Sequence, residues 1–323
     1  MNAPAPEEQQ SVLDVAGGVA AKVFEKLSHA MPVQKEPSHY FDAHTHAHFA
    51  AFKDDERAVV ERALAKDVHM IAVGTQRDTS ADAIRLAHAF PKGVWAAIGL
   101  HPIHTEASFH DAQELGDPST GSGQAASGAK GFTSRGEVFD YDAYKKLAED
   151  PKVVAIGECG MDFYRLTEKS KKLQAEVFRA QVHLAHDVRK PLMIHCRNAF
   201  TDLIYTLNHE SEKLNDPPGV VHFMTGTPEE AMMLMDLGFA FTFGGVITFT
   251  DDYDKTIRSI PMDHLLTETD APYVAPEPYR GKRNEPAYVT EVVARLAALK
   301  AVTPEEMKHH IWKNAKRIFN ITA

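Results

Sequence analysis

The run Asp42-Ala43-His44-Thr45-His46 sets a carboxylate and two imidazoles at alternate positions. In an extended strand, residues two apart project to the same side. Asp42, His44 and His46 therefore share a face, and the two histidines can chelate one divalent metal. Alone the pair is a weak signal, because the chain holds 18 histidines. His48, His69, His88, His309 and His310 read as ordinary surface or packing residues. The pair gains weight because ligand types recur after other apolar runs. Glu158 follows Val153-Val154-Ala155-Ile156-Gly157, and His195 follows Pro191-Leu192-Met193-Ile194. His222 follows Gly219-Val220-Val221, and Asp270 ends Leu265-Leu266-Thr267-Glu268-Thr269. An unpartnered ionisable group buried at such a place costs several kcal/mol. A metal centre supplies the missing positive charge.

The neighbouring residues narrow the chemistry. Cys159 and Cys196 each sit one position past a ligand-type residue, so alternation turns both thiols away from the shared face. They read as buried structural thiols rather than nucleophiles or ligands. No GxSxG elbow and no Walker loop occurs. Six donors exceed the three or four that one open catalytic metal takes from protein. Two ions sharing a carboxylate would use all six. Nitrogen and oxygen donors without sulfur suit Zn, Mn or Mg. A pair of such ions clamps the attacking and leaving oxygens in phosphoryl transfer, which points at phosphate esters.

Eight strands must position these groups. Apolar or β-branched runs at 40–46, 68–74, 94–101, 153–160, 191–196, 219–225, 240–247 and 265–270 alternate with helical patterns. In 167–190, Leu173, Val177, Ala180, Leu184 and Val188 recur three or four apart and predict one buried helical face. Thr227-Pro228-Glu229-Glu230 and Thr303-Pro304-Glu305-Glu306 each announce a helix start, with a Thr N-cap, Pro in the first turn and Glu at N3. Alternating strands and helices imply a parallel sheet, either a closed (β/α)8 TIM barrel or an open doubly wound fold. The count of eight, and the lack of GxGxxG at the first turn, favour a single-domain barrel. Barrel enzymes place catalytic groups at C-terminal strand ends, where these donors fall.

Two segments fall outside the alternation. Residues 1–37 form a polar, partly mobile extension with a helical pattern near 12–27, leaving a barrel over 38–323. Residues 111–137 hold GDPSTGSGQAASGAKG, a low-complexity insertion after the third strand. It reads as disordered, with a substrate lid as the other reading. The chain has 323 residues, 35 basic and 45 acidic, for a formal charge of −10. Coating nucleic acid by bulk charge is therefore disfavoured. Residues 271–323 carry nine Lys/Arg against five Asp/Glu, or +4, leaving −14 for the rest. Two cysteines make no secreted disulfide framework. No run approaches the ~20 apolar residues of a membrane helix, and Glu7-Glu8-Gln9-Gln10 opposes a signal peptide. A cytoplasmic location is expected.

The segments FDAHTH, AIGLHP, AIGECGMDFYR, PLMIHCR, HFMTG with GG downstream, and LLTETDAPYVAPEPYRGKRNEPAYV occur in that order. Together they resemble the TatD family of metal-dependent deoxyribonucleases, in the amidohydrolase-like TIM-barrel superfamily, over about residues 39 to 320. The resemblance implies that His44, His46, Glu158 and Asp270 hold one metal. Glu158 would bridge to a second, completed by His195 and His222; phosphotriesterase-like relatives carry a carboxylated Lys where this chain has Glu158. Asp270 would both ligate and accept the proton of the attacking water. Asp42 is expected to orient an imidazole, and Glu268, on the face of Asp270, to support the site similarly. Arg197 would reach a non-bridging phosphate oxygen, with Lys282 and Arg283 in the phosphate-binding loop after the last strand. His101 would lie near substrate, and Phe163 and Tyr164 could stack a base or simply pack.

The implied activity is 3′→5′ exonuclease cleavage of DNA, single-stranded by preference, with two Mg, Mn or Zn ions. DNA is the implied partner, RNA or a D-aminoacyl-tRNA ester stays open, and no obligate protein partner or membrane is implied. A small-molecule amidohydrolase or phosphotriesterase on the same scaffold is the alternative. A binding module without catalysis is disfavoured, because all six ligand positions are filled. Asn198, Met224-Thr225 and the 111–137 insertion depart from the family pattern without removing a ligand.

Overall fold

The computed structural model describes residues 38–106, 109–110, 132–133, 136–164 and 167–322. The expected extension 1–37 and most of the expected insertion 111–137 lie outside the described residues. Eight strands form one sheet: β1 (Tyr40–Thr45), β2 (Val68–Val73), β3 (Val94–Ile98), β4 (Val153–Asp162), β5 (Leu192–Arg197), β6 (Gly219–Val221), β7 (Ala240–Phe243) and β8 (Leu265–Thr267). Each is parallel to the next and they follow in chain order. The intervening α-helices are α1 (Glu56–Ala65), α2 (Arg77–Ala89), α3 (Tyr141–Ala148), α4 (Glu168–Val188), α5 (Phe200–His209), α6 (Pro228–Asp236) and α7 (Asp254–Ser259). After β8 come α8 (Val289–Lys300) and α9 (Pro304–Phe319). Outside the barrel, Phe109–His110 pairs antiparallel with Phe132–Thr133. No helix among the described residues is long and apolar enough to cross a membrane.

The sheet curls into a nearly closed (β/α)8 barrel. Its seam is drawn together by Asp270 N–H to the His44 carbonyl at 2.9 Å and His46 N–H to the Ala271 carbonyl at 2.8 Å. Thr267 Oγ1 adds a bond to the Phe41 carbonyl at 2.7 Å. Strands covered on both faces must be apolar almost throughout, and all ten residues of β4 are buried. Outside the sheet, Phe41 packs against Trp312 and Phe319 of α9, with ring centres 5.9 and 6.1 Å apart.

Several features differ from the sequence reading. β3 ends at Ile98, short of the expected 101, and β7 at Phe243, short of the expected 247, where the 3-10 turn Gly245–Thr248 takes over. β6 and β8 stop early because Phe223 (φ 46°) and Asp270 (φ 52°) turn into left-handed backbone, which ends an extended ladder. His222 and Asp270 thus stand beyond the last paired residues of their strands. β4 runs further, to Asp162, because that residue still pairs with Arg197 of β5. The buried face of α4 is also rotated from the expected stripe. Of that stripe only Leu184 is fully buried, while Gln174, Phe178, Gln181, Val182 and Ala185 face inward. The two glutamines are there for their amides. Gln174 Oε1 accepts the Asp162 N–H at 2.8 Å, and Gln181 bonds both the N–H and the carbonyl of Leu100. α4 thereby fixes the chain beside Asp162 and His101. Both predicted Thr caps form, Thr227 Oγ1 accepting from Glu230 N–H and Thr303 Oγ1 from Glu306 N–H.

Gly160 allows β4 and β5 to approach. Its φ is +140°, and a Cβ there would lie 2.0 Å from the His195 carbonyl oxygen. Gly160→Ala is expected to cost roughly 2–6 kcal/mol, from left-handed strain plus overpacking. Denaturant titration will check this; an unchanged midpoint would mean the strand pair can open without loss.

Candidate metal centre

At the C-terminal ends of the strands, four donor atoms converge, from β1, the residue just past it, β4 and the chain after β8. His44 Nε2 lies 3.2 Å from His46 Nε2, 3.4 Å from Glu158 Oε2 and 3.8 Å from Asp270 Oδ1. His46 Nε2 lies 3.7 Å from Glu158 Oε2 and 3.4 Å from Asp270 Oδ1. Ligand bonds of ~2.0–2.1 Å in a tetrahedral shell place donors about 3.3–3.4 Å apart. The observed spacings bracket that value.

A second group gathers on the other oxygen of the same carboxylate. Glu158 Oε1 is 2.8 Å from His195 Nδ1 and 2.8 Å from His222 Nε2, and those two nitrogens are 3.2 Å apart. His101 Nε2 approaches the same oxygen at 3.1 Å. Glu158 therefore faces one set of imidazoles with each oxygen.

Hydrogen bonds on the far sides of the rings decide which nitrogens keep lone pairs. His46 Nδ1 donates to the Val73 carbonyl at 2.7 Å, which leaves Nε2 as the acceptor facing Asp270. His195 Nε2 donates to Asp162 Oδ2 at 3.0 Å, which leaves Nδ1 facing Glu158. His222 Nδ1 is 3.6 Å from Glu268 Oε2, and its Nε2 faces inward. Lone pairs directed at carboxylates and at each other repel unless a proton or a metal cation sits between them. The buried donor set of imidazole and carboxylate fits a divalent cation of the Zn, Mn or Mg kind. His101 differs. Its Nδ1 accepts the Ile103 N–H at 3.1 Å, so the neutral ring carries its proton on Nε2 and donates toward Glu158.

Charge follows the same pattern. Burial would raise the Glu158 carboxyl, yet His101, His222 and His44 outweigh it and hold the group well below the usual range. Burial likewise opposes ionisation of Asp270, and the facing His46 ring, then His44, bring it down. Burial lowers His195, but Asp162 and Glu158 prevail and raise it to about 9, so without a cation the ring holds a second proton on Nδ1 toward Glu158, which a bound cation would displace. Asp42 is the exception. Burial pushes its carboxyl well up, against the donors of Thr269.

The remaining sequence-predicted residues divide. Asp42 does not orient an imidazole: it accepts from Thr269 N–H at 2.8 Å, Thr269 Oγ1 at 2.6 Å and His44 N–H at 3.3 Å. It pins the β8–β1 seam instead. Glu268 is fully buried, accepts from Thr242 Oγ1 and faces His222. Arg197 lays its guanidinium 3.8 Å over the Tyr164 ring. Phe163 packs partly into the core. Lys282 Nζ stands 5.9 Å from the Tyr279 ring centre. Arg283 gives two nitrogens to the Asp55 carboxylate, at 2.9 and 2.6 Å, and Nη1 also to the Ala51 carbonyl at 2.8 Å, which ties the loops after β8 and β1. Cys159 and Cys196 are free and buried, with burial raising both thiols. Neither belongs to a metal-ligating cluster among the described residues.

Asp162 is a candidate site residue that the sequence reading missed. It shares the face of Glu158 at i+4, so carrying the alternation two residues further would have found it. Its buried carboxylate takes His195 Nε2 on one oxygen and the Tyr164 N–H, at 2.9 Å, on the other. Replacing Asp162 by Ala is expected to weaken metal binding on the His195 side by about 10–100-fold. Calorimetric titration of stripped protein measures this, and wild-type affinity would mean that His195 needs no such anchor.

Residues 41–320 match the family described as TatD related DNase. The uncharacterized metal-dependent hydrolase YabD of Bacillus subtilis is 36% identical over 284 residues, covering 87% of this chain and 99% of that protein. A protein of Musicola paradisiaca named 3′-5′ ssDNA/RNA exonuclease TatD is 31% identical over 290 residues, covering 87% of this chain and 98% of its own length. Among solved structures, the TatD homolog YJJV of Escherichia coli K12 superposes with a TM-score of 0.69 at 25% identity, covering 88% of this chain and 98% of that one. With a barrel of this topology and a cation-seeking cluster at its C-terminal end, the chain belongs to the TatD family of metal-dependent hydrolases.

Proposed function

We propose that this protein is a 3′→5′ exonuclease that hydrolyses the phosphodiester bonds of single-stranded DNA with two divalent cations. The observation that carries the reading is Glu158, whose two oxygens face separate imidazole sets. His44, His46, Glu158 and Asp270 would hold one cation, and Glu158, His195 and His222 the other. When bound, the cations supply Lewis-acid charge to the phosphate and acidify a water. Asp270 is the least buried of the four donors in its group, which suits it to receive that water's proton. His101 steadies Glu158 through its Nε2–H. Arg197, held flat by Tyr164, offers its donors to a non-bridging oxygen, and Lys282 adds charge at the rim. Arg283 shapes the loop through Asp55 rather than meeting phosphate.

The exonuclease name of the Musicola relative supports a nucleic-acid substrate. Residues 38–323 would form the catalytic unit, with 1–37 appended and 111–137 inserted. Two free cysteines suit a reducing, cytoplasmic setting. The test is a 5′-labelled single-stranded DNA oligonucleotide, with an RNA counterpart, given to chelator-stripped protein with Mg, Mn or Zn restored. A metal-dependent ladder shortening from the 3′ end is expected. No cleavage by protein that holds two ions would overturn the nuclease reading in favour of a small ester or amide substrate.

A further inference from the structure

The opposite end of the barrel holds another group of donors. The parallel register of β1 and β2 pairs Tyr40 with Val68 and Phe41 with His69. It brings His39, just before β1, beside Asp67, just before β2, with His69 two residues further on. His39 Nδ1 lies 2.5 Å from Asp67 Oδ1, and the His39 and His69 rings stack at 3.9 Å. One donor atom from each of the three residues lies within 4.8 Å of the other two. Trp312 of α9 stands edge-on to both rings, at 4.9 and 5.3 Å, and walls the group on the helix side. These residues enter the sheet where the chain starts β1, roughly 20 Å from His46 at a rise of ~3.3 Å per residue.

We propose that His39, Asp67 and His69 form a divalent-cation site that clamps the start of β1 to the start of β2. Two imidazoles and a carboxylate are the donor set of a borderline cation such as Zn²⁺, with water completing the shell. His69 Nδ1 is buried without a hydrogen-bond partner, and a polar atom left so calls for explanation. Asp67 is half exposed, which gives the ion a way in and leaves room for water. The site has no part in the chemistry proposed at the other end. In a barrel, the N-terminal face serves stability.

The experiment counts zinc. Stripped wild-type protein, His39→Ala and Asp67→Asn are each loaded with Zn²⁺, desalted, and measured for zinc per folded chain by mass spectrometry. Asp67 has a φ of 62°, a conformation Asn also tolerates, so Asp67→Asn removes charge with little disturbance of the backbone. Both variants are expected to hold one equivalent less than wild type, and to lose at least part of the rise in melting temperature on zinc addition. Equal zinc counts in wild type and Asp67→Asn would overturn the proposal and leave a hydrogen-bonded His–Asp pair. The comparison is a difference, so it stands whatever number of ions the catalytic end holds and whether or not DNA is cleaved.

Discussion

Asp270→Asn is expected to abolish turnover, lowering kcat/KM by at least about 10²–10⁴-fold, the range of a lost general base. Loss of a ligand charge deepens the effect. The substitution removes an anionic oxygen 3.4 Å from His46 Nε2 and 3.8 Å from His44 Nε2. It should spare the fold. The backbone at 270 donates its N–H to the His44 carbonyl and accepts from Tyr273 N–H, and both bonds survive in Asn. Its φ of 52° is also one that Asn adopts readily. Steady-state kinetics on a DNA oligonucleotide, paired with a thermal melt, separates the two effects. Near-wild-type kcat/KM in a folded variant would refute the role given to Asp270.

Glu158→Gln should go further and empty both halves of the centre. One oxygen of Glu158 faces His44 and His46, and the other faces His101, His195 and His222. An amide keeps the shape but not the anion, so each cation loses its shared charge. Zinc or manganese retained after desalting is expected to fall below one equivalent in this centre. A cation present at ~1,000 times its Kd stabilises the fold by about 4 kcal/mol. At ~2–4 °C per kcal/mol for a large domain, the melting temperature of loaded protein should fall on the order of 10 °C toward that of stripped wild type. Asp162→Ala, acting through His195 alone, should spare the His44 side. If Glu158→Gln kept both ions, the carboxylate would not be the bridge its geometry suggests.

Much of the centre was legible because strand alternation has a period of two. His44 and His46 share a face by spacing alone, and Glu158, His195, His222 and Asp270 follow apolar runs where a barrel exposes its catalytic end. The eight strands and the Thr caps of α6 and α9 could be read for the same reason: period and capping are local properties of the chain. Local pattern also misled. The apolar stripe of α4 suggested Leu173 and Val177 as the buried face, whereas Gln174 and Gln181 turn inward to hold the backbone at the end of β4 and just after β3. Periodicity counts apolar side chains and is blind to an amide that is buried because it is fully bonded.

Sequence by itself determined the donor types, their shared faces and the parallel alternation, since each depends on residues a few positions apart. Tertiary structure decided who meets whom. Asp42 reaches Thr269 across the β8–β1 seam, Arg283 meets Asp55, and His39 gathers Asp67 and His69. Asp162 reaches His195 only because β4 stays paired with β5 to its last residue. These contacts are set by strand register and barrel closure. Both arise from packing the whole sheet against its helices, and no local window of the chain contains them.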